Sequence, residues 1–218
     1  MTSTVLDRFR GRILGAGSTS GVRLVIGDWT TSPLGAFTDV MVATADEHRV
    51  LLAPSAAVAE YVAATYSFDE VRLCTVVLAA DEHEWRLDAG PLRCRIGLGR
   101  RTPVGLLLRP GPERVGRSRG FAHLADPVAR RLLPGVRTVG SAGGGRREYY
   151  GAHDQHHVTS LDGTWEGETL GDLRAVSPPP RFGFSSTPAA PGLTRVTTTV
   201  ERPSGAPGGP AAGRVGTT

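Results

Sequence analysis

Along this chain apolar residues fall into short runs separated by glycine, proline and small polar residues, and few runs carry a helical period. The span 13–29 reads as strand, turn, strand: two apolar stretches flank a Gly/Ser/Thr turn. A turn at 32–35 precedes a strand over Phe37 to Val42, and Ala45 to His48 forms a hairpin loop into the strand 49–53. Pro54 and Ser55 then open the clearest helix, with Ser55 as N-cap and Val58, Tyr61, Val62 and Thr65 on one face. Ser67 to Asp69 end it, and β character resumes over Val71 to Ala79.

The next stretch, 85–98, alternates at its end. Leu92, Cys94, Ile96 and Leu98 face one way and Arg93 and Arg95 the other, after a turn at Asp88-Ala89-Gly90. Residues 100–120 read as a long Arg/Gly/Pro loop broken by three leucines. A second helix is expected at 127–133, between Asp126-Pro127 and Pro134-Gly135. Short strands are expected at 136–139, 146–150, 157–161 and 194–200, and Phe182/Phe184 could add another. Many short strands with two short helices predict an α+β fold that is mostly antiparallel β, either an open sheet or a closed β-barrel.

Length and composition narrow this to one globular domain over 1–202, followed by a disordered Gly/Pro/Ala-rich tail over 203–218. All 25 basic residues are arginine, a bias typical of GC-rich genomes. Without lysine the chain can form no Schiff base of its own and can build no P-loop. Arginine can still clamp carboxylates or phosphates. Cys74 and Cys94 read as small apolar strand residues rather than a disulfide or zinc pair. No apolar run has the length of a membrane span, and the N-terminus has no secretory h-region, so a cytoplasmic protein is expected.

Three motifs invite a functional reading and meet a plainer one. Gly-Ala-Gly-Ser-Thr-Ser-Gly at 15–21 is followed by β-branched, alternating residues rather than a helix, so a hairpin turn is expected and no nucleotide cofactor. His153-Asp154-Gln155-His156-His157 could pair ligands on a helix face. It runs into a strand and lacks the glutamate of a zinc protease, so a polar loop without metal is expected. Residues 100–150 carry a net charge of +8 against −4 for the rest of the chain. The loop 100–119 has no aromatic residue to stack on bases, which disfavours nucleic acid as a partner.

The cluster 143–154 brings two arginines, a glutamate and two tyrosines together. Gly145-Arg146-Arg147-Glu148-Tyr149-Tyr150-Gly151 resembles the Gly-Arg-Glu…Gly stretch of the acetoacetate decarboxylase-like family. Gly35-Ala36-Phe37-Thr38-Asp39 is similar to that family's Gly-Pro-Tyr-x-Glu segment. The resemblance implies a small β-barrel pocket flanked by both stretches. Where the family has Pro-Lys this chain has Ala152-His153, so the lysine-dependent decarboxylation is excluded. On this reading Glu148, Asp39 and His153 are candidate acid/base groups, and Arg146, Arg147 and Tyr150 are candidate ligand-binding residues. The chain as a whole reads like an actinobacterial protein.

The leading expectation is a domain that binds a small anionic molecule in an arginine-bearing pocket without Schiff-base chemistry. The alternatives are a lysine-free acid/base hydrolase or lyase on a small carboxylate, and a module binding nucleic acid or an acidic partner through 100–119.

Overall fold

The computed structural model describes residues 4–108, 139–142, 145–183 and 187–204. Its elements in chain order are β1 (Thr4–Ser18), β2 (Arg23–Thr31), β3 (Phe37–Ala43), β4 (Arg49–Ala53), α1 (Ala56–Ala63), β5 (Glu70–Leu73), β6 (Val76–Ala80), β7 (Glu84–Ala89), β8 (Leu92–Arg101), α2 (Pro103–Leu108), β9 (Val139–Ala142), β10 (Arg146–Trp165), β11 (Glu168–Thr169), β12 (Leu173–Arg174) and β13 (Gly192–Pro203). The fold is α+β, with one antiparallel-rich sheet in the order β5-β4-β3-β2-β1-β13-β10-β8-β7-β6. Among the described residues only β4 and β5 pair in parallel, with α1 as their crossover. The sheet curls until β6 approaches β3, giving a half-barrel. Among the described residues no ladder joins β5 to β6, so the barrel is open.

Both faces of the central strands are buried, which explains why their sequences show little clean alternation. Leu14, Leu24, Ile26, Val40, Val42 and Leu52 point into the concave core, where they meet Trp85, Leu92 and Ile96 from β7 and β8. The intervening residues point outward. There α1 lays Val58, Ala59 and Val62 against Leu51 and Ala53, and Tyr61 against Phe9 and Val200. Ser55 caps α1, its Oγ accepting from Val58 N at 3.3 Å. No helix among the described residues is long and apolar enough to cross a membrane.

Several expectations need correction. β1 begins at Thr4, ahead of the apolar run at 13, because its early polar positions are paired inside the structure. Asp7 is buried and accepts from Arg202 Nε at 2.5 Å and from Tyr61 Oη at 2.9 Å. Residues 103–108, expected as loop, form α2. Thr102 caps this turn by accepting from Gly105 N at 3.0 Å and binds Gln155 Oε1 at 2.8 Å. Gly105 lets the turn sit on β10, since a Cβ there would lie 2.3 Å from Gln155 O.

The histidine-rich stretch 153–157 is not a loop. It lies inside β10, which fuses the strands expected at 146–150 and 157–161. β10 pairs with β13 along one edge, and with β9 and then β8 along the other. Register shifts at Ala152/Asp154 and at His156/Val158 let one long strand serve both ladders. Phe182 is not in a strand. Phe184, the helix expected at 127–133 and the tail from 205 lie outside the described residues.

Candidate functional site

Between α1 and the face of the sheet that lies opposite the main core is a cavity of about 70 Å³. A water needs roughly 10–15 Å³ of such space, so the cavity holds on the order of five water-sized groups. Phe9, Ile13, Val25, Phe37, Met41 and Val200 make most of its wall apolar. Two carboxyl groups, Asp39 from β3 and Glu148 from β10, line the same space. Six strands intervene in sequence and three in the sheet, so it is the tertiary fold and not nearness along the chain that brings them to one cavity.

Each carboxyl is held by one aromatic donor. Trp29 Nε1 donates to Asp39 Oδ1 at 2.9 Å. Gly27 makes this contact possible, because a Cβ there would sit 2.6 Å from both Asp39 Oδ1 and Trp29 Nε1. Tyr66, just past the end of α1, donates its hydroxyl to both oxygens of Glu148, at 2.7 and 2.8 Å. Both acids are 2% exposed. Loss of hydration pushes each up to about 7, although the Trp29 and Tyr66 hydrogen bonds pull the other way. The same burial, with the Glu148 charge beside it, holds the Tyr66 phenol well above its usual range. Thr198 also lines the cavity, and among the described residues its buried Oγ1 has no hydrogen-bond partner.

Of the residues singled out from the sequence, Asp39, Glu148 and Tyr150 line this cavity. Arg146 does not. It is buried behind α1, where Nη1 donates to Tyr61 O at 3.1 Å and to Thr65 Oγ1 at 2.6 Å, with the guanidinium 4.9 Å over the Tyr61 ring. Arg147 is exposed on the opposite face of β10. His153 bonds to Thr197 Oγ1 at 2.9 Å, one residue from Thr198 and so on the other face of β13. His156 Nδ1 lies 3.2 Å from Gly99 O, and His157 is exposed. Among the described residues no three metal-ligating side chains gather.

Arginines do gather beside the turn between β6 and β7, in a groove lined in part by Arg12, Arg100, Arg101 and Arg195. Two of these are already paired, Arg12 with Asp28 and Arg101 with Asp154, each at 2.6 Å. Asp81 and Glu82 on the same rim leave the groove close to neutral. Trp29, Tyr66 and Thr198 were not legible as site residues. Tyr66 meets Glu148 across 82 positions of chain, and no local pattern marks such a pairing. No protein-family model matches the chain, and no curated protein matches it significantly.

Proposed function

We propose that this protein binds a small, mostly apolar molecule with one hydrogen-bonding head, seated between α1 and the sheet with the head toward Asp39 and Glu148. The observation that carries this reading is the meeting of two buried carboxyls in one otherwise apolar cavity. Burying one such group costs several kcal/mol, and a fold has no packing need for two of them at one void. An apolar pocket with a few convergent polar groups is the usual form of a ligand site. The resemblance to the acetoacetate decarboxylase-like family contributes the expectation that Asp39 and Glu148 flank a common pocket, and their shared cavity supports it.

The geometry shifts the ligand class. With Arg146 held by α1, the head group meets carboxyls instead of guanidinium. An anion therefore enters only while at least one carboxyl is protonated, and a neutral carbonyl or alcohol suits the site across a wider range of pH. A second, smaller space under α2 shares Ile13, Tyr150 and Thr187 with the first. It offers room for a short apolar tail.

The test is NMR of the labelled protein with butanone, butanol, butyrate and butylamine in turn. At least one probe should shift the Trp29 indole and Tyr66 resonances saturably at millimolar concentration. Butyrate should weaken relative to butanone as pH rises through 7. Absence of any saturable shift at tens of millimolar would reject the reading.

A further inference from the structure

We infer that the site moves protons on a small carbonyl compound, with Thr198 seating the carbonyl oxygen and Glu148 and Asp39 acting as base and acid; this rests on the pocket reading above. The substrate class follows from the polar groups that the fold leaves without internal duties. Thr198 Oγ1 is buried in the cavity wall with no partner among the described residues, although buried hydroxyls are normally paired. Its proton is available to an acceptor, and the natural acceptor in an apolar cavity of this size is a ketone or aldehyde oxygen.

The carboxyls differ in how they are held. Both Glu148 oxygens accept from Tyr66, an arrangement that supports the carboxylate form. Asp39 has Oδ1 fixed by Trp29. Because both groups line one small cavity, a carbonyl compound seated there is assigned to contact both. Glu148 then removes a proton from the carbon next to the carbonyl, and the electrons of that C–H bond form the new C=C bond. The carbonyl π electrons move to oxygen, which Thr198 holds by its hydroxyl and Asp39 protonates. The product is the enol. Reversal with a solvent-derived proton returns the ketone with its α-hydrogen exchanged, so no oxidant, cofactor or further reactant is needed. The apolar walls favour this chemistry, since a base without its water shell is stronger and the developing oxyanion finds donors already in place.

The experiment follows deuterium entry into the α-positions of butanone in D2O by proton NMR, with the intact protein. Wild type should accelerate exchange over buffer at least about 100-fold, in the range of one positioned acid/base pair. Glu148→Gln and Asp39→Asn should each abolish the acceleration while leaving butanone bound. Thr198→Val should reduce it about tenfold and Thr198→Ser, which keeps the hydroxyl, should restore it. Circular dichroism on each variant separates lost chemistry from lost fold, and the Thr198 pair decides the matter if either carboxyl variant does not fold. Saturable butanone binding with exchange no faster than buffer would overturn this inference and leave the pocket reading standing. No binding at all would remove both.

Discussion

Replacing Asp39 by asparagine should make the protein less sensitive to alkali, by an amount that follows from the burial of its carboxyl. In the folded chain Asp39 ionises near 7, against an ordinary value of 3.8. Each tenfold change in proton affinity is worth about 1.4 kcal/mol, so the full difference is about 4 kcal/mol. The sign follows from proton counting: between these two values the folded state binds more protons than the unfolded one, so stability falls as pH rises. The penalty is absent below the unfolded value, grows through the interval and levels off above 7. About 3 kcal/mol of it should appear between pH 5 and pH 8.

Asparagine keeps the shape and an oxygen for Trp29 but cannot ionise. Any fixed cost of its amide is the same at both pH values and cancels in the comparison. Urea unfolding of wild type and Asp39→Asn across this range should therefore show a stability difference that moves about 3 kcal/mol in favour of the variant. Glu148→Gln should behave alike with a slightly smaller gain, because glutamate starts from 4.5. A difference independent of pH would mean that Asp39 is hydrated, and the cavity as described would be wrong.

Three other perturbations test the surroundings. Tyr66→Phe removes the only donor seen on Glu148 among the described residues, and should cost about 1–3 kcal/mol above pH 7 while raising the pH at which Glu148 ionises. Unfolding curves at pH 5 and 8 check both effects. Asp7→Ala strips the partner from buried Arg202 and from Tyr61, and should destabilise by about 3–5 kcal/mol in urea, far more than a surface pair would. Gly27→Ala forces a methyl group between Trp29 and Asp39, and should cost about 1–3 kcal/mol and shift Trp29 fluorescence, whereas a silent substitution would contradict the close contact.

Where information was local, the sequence disclosed the structure. Ser55 caps α1 at the expected place, and the alternation from Leu92 to Ile96 marks an inward face that β8 does present. α2 escaped notice because six residues with a glycine in the middle carry no helical period; what holds them is Thr102 reaching Gln155 in another strand. The polar run 153–157 looked like a loop because a strand with register shifts does not keep the two-residue period. Glu148 was marked by the cluster 143–154 and Asp39 by the family resemblance alone, and both line the cavity. Arg146 belongs to the same cluster, yet the carbonyl of Tyr61 and the hydroxyl of Thr65 hold it toward α1. Trp29, Tyr66 and Thr198 depend on long-range packing and left no mark in their neighbourhoods.

The most direct test of the account is the carboxyl carbon-13 NMR spectrum of the protein followed from pH 4 to pH 9, with Asp39→Asn and Glu148→Gln assigning the two signals. Both should titrate near 7, and both should move when butanone is added. Two carboxyls titrating near 4, indifferent to the added ketone, would contradict it.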